Sequence, residues 1–313
     1  MPASFSCTSL AKSYGNIIAL KGVTLTVEPG VVGLLGPNGA GKSTLLSVLL
    51  GQTPATSGRA SVLGFDARRQ QSKIRQRIGF MPENDCLIPG HTGVGYVHYC
   101  GRLSGMSYAD AMQRTHEVLD YVALEEARYR PAEQYSTGMK QRLKLAQALV
   151  HDPDLIFLDE PTNGMDPQGR QVMLGLIEDL GRTGISVILS SHLLPDVERV
   201  CARVVIMGGG EVLTTGDIAE MRKPHPTLYT VDFAGEDGMF ARRLVERGVR
   251  VLEAPLAGHV AVELPASGTQ NIVLEAARDT GAAIRGLHPK RSSLEEMFLA
   301  ALNKQARSKQ AAK

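Results

Sequence analysis

The sequence contains no tryptophan, and only 5% of its 313 residues are aromatic, so it is poorly supplied with the stacking platforms that hold single-stranded nucleic acid. It also lacks an excess of either charge: 34 Lys and Arg against 32 Asp and Glu leave a net +2, without the concentrated basic face of a nucleic-acid binder. Nucleic acid is not an expected partner. Cys7, Cys86, Cys100 and Cys201 are scattered without C-x-x-C spacing, which points to neither a zinc site nor a disulfide framework and fits a reducing cytosol. No apolar run approaches the ~18–20 residues of a membrane span. The start Met1-Pro-Ala-Ser-Phe has no charged region followed by an apolar stretch, as a signal peptide would. The chain is expected to be soluble.

What is present is an ordinary globular composition, 43% apolar and 21% charged, in a chain long enough for two domains. Its most informative stretch is Gly36, Pro37, Asn38, Gly39, Ala40, Gly41, Lys42, Ser43 and Thr44, which fits the phosphate-loop pattern G-x-x-x-x-G-K-[ST] at every fixed position. The apolar run Val31 to Leu35 before it reads as a buried strand and Lys42 to Leu50 after it as a helix, the context the motif requires. The glycines let backbone N–H groups curl around a phosphate, with the helix N-terminus adding its positive end. Lys42 would reach the β- and γ-phosphates, and Ser43 would hold Mg²⁺.

Before this loop, the alternation of Val23, Leu25 and Val27 suggests short antiparallel strands. After it, a strand Ile78 to Met81 ends at Pro82-Glu83, and the spacing turns helical between about Val94 and Arg130. Strand and helix then alternate through Leu155–Leu158, Gln168–Leu180 and Ile185–Leu189, which argues a parallel α/β core. A hairpin turning on residues 208–210 closes the first domain, expected over residues 1–221 with a helical insertion at about 84–151. Two prolines make 222–227 read as a linker. Residues 228–303 then run β-α-β-β-α-β, the order of a ferredoxin-like unit, including a strand Val249 to Glu253. A last helix starts at a Ser293/Glu296 capping box. Its apolar stripe reads as core packing in preference to a partner-binding face. The basic tail 304–313, with Lys304, Arg307, Lys309 and Lys313, is expected to be disordered, adding at most ~1 kcal/mol per cation of attraction to anionic lipid.

Two carboxylates, Asp159 and Glu160, follow directly on Leu155 to Leu158, at the carboxyl edge of a buried strand where α/β sheets bind ligands. Asp159 suits Mg²⁺, directly or through water, and Glu160 suits a general base for an attacking water. Ser136, Thr137 and Gly138 open a further helix in a geometry suited to an anion. With the phosphate loop, this segment, Asp159-Glu160, the stretch Pro161 to Asp166 and Ser190-Ser-His192 in that order, residues 5–220 resemble the ATP-binding-cassette (ABC) ATPases, with a C-terminal region like that of the daunorubicin-resistance-like (ABC-2-type) export ATPases.

The resemblance implies an ABC-type P-loop fold with an antiparallel subdomain, and ATP hydrolysis with Mg²⁺. It implies that Tyr14 stacks on adenine and His192 contacts the γ-phosphate. It also implies a homodimer, or a pairing with a related subunit, in which Ser136 and Gly138 of one copy face the phosphate loop of the other and Asp166 lies on the shared interface. The working partner would be a separate multi-span membrane permease, with the chain peripheral on the cytoplasmic face of the membrane and a drug, lipid or ion exported. The alternative, a soluble ATPase acting on ribosome or DNA, usually has tandem cassettes or a long coiled-coil insertion, which this chain lacks. Thr137 and Met139 stand where the family commonly has Gly and Gln. Glu83 stands where most members have Gln; its carboxylate would bind Mg²⁺ more strongly but be repelled by the γ-phosphate.

Overall fold

In the computed structural model, which describes residues 2–222, 224–252, 258–265, 270–291 and 293–311, the early alternating residues build β1 (Phe5–Tyr14) and β2 (Ile17–Val27), paired antiparallel with Cys7 opposite Leu25. Val23, Leu25 and Val27 turn inward. The apolar run β3 (Val31–Leu35) is buried at every position, as a strand covered on both faces must be. Next come α1 (Lys42–Leu49), β4 (Ser57–Val62), β5 (Phe65–Asp66), α2 (Gln71–Arg75) and β6 (Ile78–Met81). Strands β2-β1-β4-β5 form the first sheet.

The segment after β6 is helical: α3 (Gly93–Leu103), α4 (Tyr108–Tyr121), two 3₁₀ turns (Glu125–Tyr129, Ala132–Gln134) and α5 (Thr137–Leu149). Thr92, Ser107 and Ser136 cap α3, α4 and α5, each side-chain oxygen accepting a backbone N–H of the first turn. Each such cap contributes about 1 kcal/mol. Then follow β7 (Leu155–Asp159), α6 (Pro167–Arg182), β8 (Ser186–Ser191), α7 (Leu194–Val200), β9 (Arg203–Gly208) and β10 (Glu211–Asp217). The second sheet has the order β10-β9-β3-β8-β7-β6, parallel from β9 to β6. Leu34, Leu45, Phe157 and Met207 belong to one buried cluster with Phe5 and Leu20, joining the sheets across α1.

The chain divides into one unit of residues up to Ile218 together with Phe298 onward, and another of Ala219–Met297. Across and beyond the division run α8 (Ile218–Arg222), β11 (Pro224–Ala234), α9 (Asp237–Glu246), β12 (Arg250–Val251), β13 (His259–Glu263), α10 (Asn271–Thr280), β14 (Ala283–Arg291) and α11 (Leu294–Ala311). The second unit is an antiparallel sheet of order β12-β13-β11-β14 over a core that includes Val231, Phe233, Phe240 and Leu244. The Phe233 and Phe240 ring centroids lie 4.4 Å apart.

Two expectations change. The stretch 222–227 is not a free linker, because β11 already begins at Pro224. Its ladder with β13 starts only at Leu228, so the prolines fall where the strand has a single neighbour and a missing N–H is tolerated. The stretch from Lys304 is not disordered but continues α11 to Ala311. Its Ala, Lys, Gln and Arg are strong helix formers, and Gln305 Nε2 donates to Gly208 O at 2.8 Å. The capping box forms, with Glu296 N–H donating to Ser293 Oγ at 3.1 Å. Lys223, Glu253 and Lys313 lie outside the described residues.

Candidate functional site

The phosphate-loop residues leave β3 and turn tightly: Ala40 N–H donates to Pro37 O at 3.0 Å, and Gly41 caps α1 at φ +101°. Only glycine takes that conformation readily, and a Cβ there would sit 2.8 Å from Ala19 O. A Cβ on Gly36 would sit 2.5 Å from Met207 O, so the loop lies tight on its neighbours. A cavity of about 480 Å³ opens above it, lined by Pro37 to Thr44 with Glu83, Asp159, Glu160, Asn163 and His192. It sits at the carboxyl ends of the parallel strands, where such sheets place ligands.

Lys42 is buried, and its Nζ donates to Gly36 O at 2.6 Å. Burial pushes its pKa down, while Glu160, Asp159 and Glu83 pull it up. The Asp159 carboxyl is pushed up, first by burial and further by Glu83 and Glu160. Three carboxylates thus share one lysine. Glu160 and His192 meet because β7 and β8 run side by side with Asp159 opposite Ser190. Glu160 N–H donates to Ser190 O at 2.9 Å, and His192 Nδ1 lies 2.9 Å from Glu160 Oε2. Glu160 itself is held at φ +49°, a left-handed conformation that costs a non-glycine residue roughly 1 kcal/mol or more.

Ser136, Gly138 and Asp166 are not in this cavity. They line a second one of about 430 Å³, between the N-termini of α5 and α6. Ser136 Oγ accepts from Met139 N–H at 3.3 Å, and an Asp166 carboxylate oxygen accepts from Gly169 N–H at 2.8 Å. Tyr14 lines neither cavity. It stands at the end of β1 with its ring about half exposed and Lys12 Nζ 4.7 Å from the ring centroid.

Residues the sequence did not single out complete the surroundings. Asn163 Nδ2 donates to Glu83 Oε1 at 3.3 Å. Asp196 is buried at the start of α7, where it accepts from Thr162 Oγ1 at 2.7 Å and Arg170 Nε at 2.6 Å, tying the loop after Glu160 to the helix after His192. Nothing in the local sequence marked them, since Asn163 is exposed and Asp196 is buried only through its tertiary partners.

The donor set fits Mg²⁺. Among the described residues no three His, Cys, Asp or Glu side chains are placed to hold a metal ion by themselves. Mg²⁺ instead takes one or two protein oxygens and fills its octahedron with phosphate and water. Ser43 and Asp159, which both line the cavity, would supply such oxygens.

The family profile described as ABC transporter matches residues 20–163. A Bacillus subtilis protein named as an uncharacterized ABC transporter ATP-binding protein, YxlF, is 35% identical over 297 residues, covering 94% of this chain and 98% of that one. The chain belongs to the ABC transporter ATPases. The Streptomyces peucetius daunorubicin/doxorubicin resistance ATP-binding protein DrrA is 33% identical, over 94% of this chain and 90% of its own. A Cupriavidus metallidurans Nod factor export ATP-binding protein is 34% identical over 73% of this chain and 74% of its own. Among solved structures, the ATP-binding cassette MJ0796, dimeric and bound to ADP and Pi in a post-hydrolysis state, superposes with a TM-score of 0.64 at 26% identity, covering 68% of this chain and 98% of that one. The α/β P-loop fold of the first unit is therefore that of an ABC ATPase, and the protein is an ATP-binding, ATP-hydrolysing transporter subunit. No helix among the described residues is long and apolar enough to cross a membrane.

The charge balance of this ABC cassette makes a stability prediction. Asp159→Asn is expected to raise the unfolding midpoint of the nucleotide-free protein by a few degrees, because an amide carries no buried charge. A carboxyl whose folded pKa is raised costs nothing below its unfolded value of 3.8, where both states are protonated, and costs progressively more as pH rises towards the folded value. The gain over wild type should therefore grow from about pH 4 upward and then level off. Thermal melts between pH 4 and 7 that show no gain at the upper end would contradict this electrostatic account.

Proposed function

We propose that the protein is the ATP-hydrolysing engine of an exporter, working as a homodimer or with a related ATPase subunit and docking on a separate multi-span membrane permease at the cytoplasmic face of the membrane. The observation that carries the reading is the separation of its motifs into two cavities on one unit. The phosphate loop, Asp159, Glu160 and His192 share one, whereas Ser136, Gly138 and Asp166 share the other. Each cavity offers only part of a nucleotide's coordination, so two copies facing each other would complete two sites.

In this reading Gly36, Gly39, Gly41 and Lys42 cradle the phosphates, and Tyr14 packs on the adenine. Ser43 and Asp159, with Glu83 nearby, hold Mg²⁺, which would neutralise the phosphate charge. Glu160 orients and deprotonates the attacking water, with His192 against it holding the carboxylate and facing the γ-phosphate. Ser136 and Gly138 of the partner subunit bring a second helix N-terminus to the phosphates, which makes hydrolysis depend on dimer closure. Export rests on what DrrA and the Nod factor protein are named for. We read the second unit as a ferredoxin-like accessory domain, on its β-α-β-β-α-β order and the sheet order β12-β13-β11-β14.

The test is a pull-down of Glu160→Gln protein with ATP from detergent-solubilised membranes of its own host, read by mass spectrometry. Co-purification of a multi-span membrane protein is expected. Recovery of ribosomal or DNA-associated proteins alone would replace the exporter reading with that of a soluble ATPase.

A further inference from the structure

Helix α5 carries an unusual polar stripe. His151, just past its end, lies with Nε2 2.9 Å from Ile78 O, and Gln147 Nε2 donates to Phe80 O at 2.6 Å. Lys144 is fully buried, and its Nζ donates to Pro82 O at 2.7 Å, Glu83 O at 2.8 Å and, more weakly, Asn84 O at 3.4 Å. Lys140 Nζ lies 3.6 Å from Asp85 Oδ2. The spacing 140, 144, 147, 151 is one face of a helix. Strand β6 is the edge of the second sheet, with a row of carbonyls that no neighbouring strand pairs. The stripe satisfies these carbonyls in order and then follows the chain into the loop that carries Glu83. One turn away Gln141 Nε2 donates to Asn163 O at 3.1 Å, and Asn163 in turn donates to the Glu83 carboxylate.

A buried lysine ordinarily loses its proton or finds a carboxylate. Lys144 has no carboxylate at close range. All three of its donors go to consecutive backbone carbonyls, so its charge is spent on fixing a main-chain path. Burial pushes its pKa down, opposed by Cys86, Asp85, Glu83 and Asp159.

We propose that the stripe Lys140, Lys144, Gln147 and His151 is a coupling rail, with Lys144 as the positioning residue that sets where the Glu83 carboxylate stands in the nucleotide cavity. It rests on the reading of that cavity as the ATP site and extends it: α5 begins at Ser136, in the second cavity, so a shift of α5 when that cavity is filled moves the Glu83 loop of the first. Lys144 touches no nucleotide and acts only through Glu83.

The test uses the full chain and two readouts. In amide hydrogen exchange, Lys144→Met is expected to speed exchange of the β6 amides that pair with β7, just before the anchored loop, by about 10-fold or more while β7's own amides and the first turns of α5 keep their protection. In steady-state hydrolysis, Lys144→Met should lower kcat by about 10-fold with KM for ATP within about threefold. In a Glu83→Gln background, whatever its own rate, the same change should cost less than about threefold. Lys144→Gln, which keeps two donors on a shorter stem, should fall between wild type and Lys144→Met, and it carries the test if the methionine variant does not fold. Exchange that rises uniformly across α5 and β7, or an equal loss of kcat in both backgrounds, would reduce Lys144 to a packing residue and overturn the proposal. A wild-type protein that hydrolyses no ATP would instead count against the function proposed above, and the exchange comparison would still decide the role of Lys144.

Discussion

Lys42→Ala is expected to weaken ATP binding by at least about 10²-fold, the loss of a charge-assisted contact to phosphate in a sheltered site. The size follows from what else is in the cavity. Lys42 is the only lysine or arginine among its lining residues, and Asp159, Glu160 and Glu83 all bear on it. Without it a polyanionic nucleotide would face three carboxylates with no lysine or arginine beside it, leaving the loop's N–H groups, the α1 N-terminus and Mg²⁺ to offset the charge. The change also removes the cation that offsets these carboxylates, so the nucleotide-free protein should melt somewhat lower while still folding. Titration calorimetry at fixed Mg²⁺ measures the effect, and a Kd within about threefold of wild type would end the assignment of this loop to the phosphates.

Glu160→Gln should separate binding from chemistry: ATP affinity stays near wild type while turnover falls by about 10²–10⁴-fold, the usual worth of a general base. Glutamine keeps the length and an acceptor oxygen for His192, and it accepts the same left-handed backbone, so the 2.9 Å contact between residues 160 and 192 has no reason to break. What is lost is the negative charge that, in the proposed mechanism, takes a proton from water. Single-turnover phosphate release is the direct measurement. Near-normal release would move the base elsewhere in the cavity, with Asp159 the next carboxylate in line.

The tight turn between β3 and α1 was legible residue by residue because it is made by consecutive backbone groups, so the motif and one wall of the cavity coincide. Asp159 and Glu160 were legible as the end of an apolar run. The contact of Glu160 with His192 was not, since it depends on β7 lying beside β8, a pairing that no local pattern encodes. Lys144 was hidden for the same reason. A lysine between Leu143 and Leu145 reads as an ordinary helical position, and only the placement of α5 along the β6 edge shows its ammonium facing three carbonyls. The errors at 222–227 and 304–311 have a common cause. Prolines and a polar, basic composition were read as local breakers, while strand pairing at β14 and the hydrogen bond of Gln305 to Gly208 supplied tertiary partners.

The caps at Ser136 and Asp166 give the second cavity a direction. A serine hydroxyl has one proton and two lone pairs. With a lone pair of Ser136 committed to Met139 N–H, the hydroxyl still has its proton to donate. Across the cavity Asp166 spends one oxygen on Gly169 N–H and keeps the other as an acceptor. One wall therefore offers a donor and the other an acceptor. A surface that meets the cavity with an anion towards α5 and N–H or hydroxyl groups towards α6 is matched on both sides, whereas the same surface turned end for end sets its anion against a carboxylate. Two commonplace helix caps thus give the cavity a polarity that would favour one orientation of a facing partner over the other.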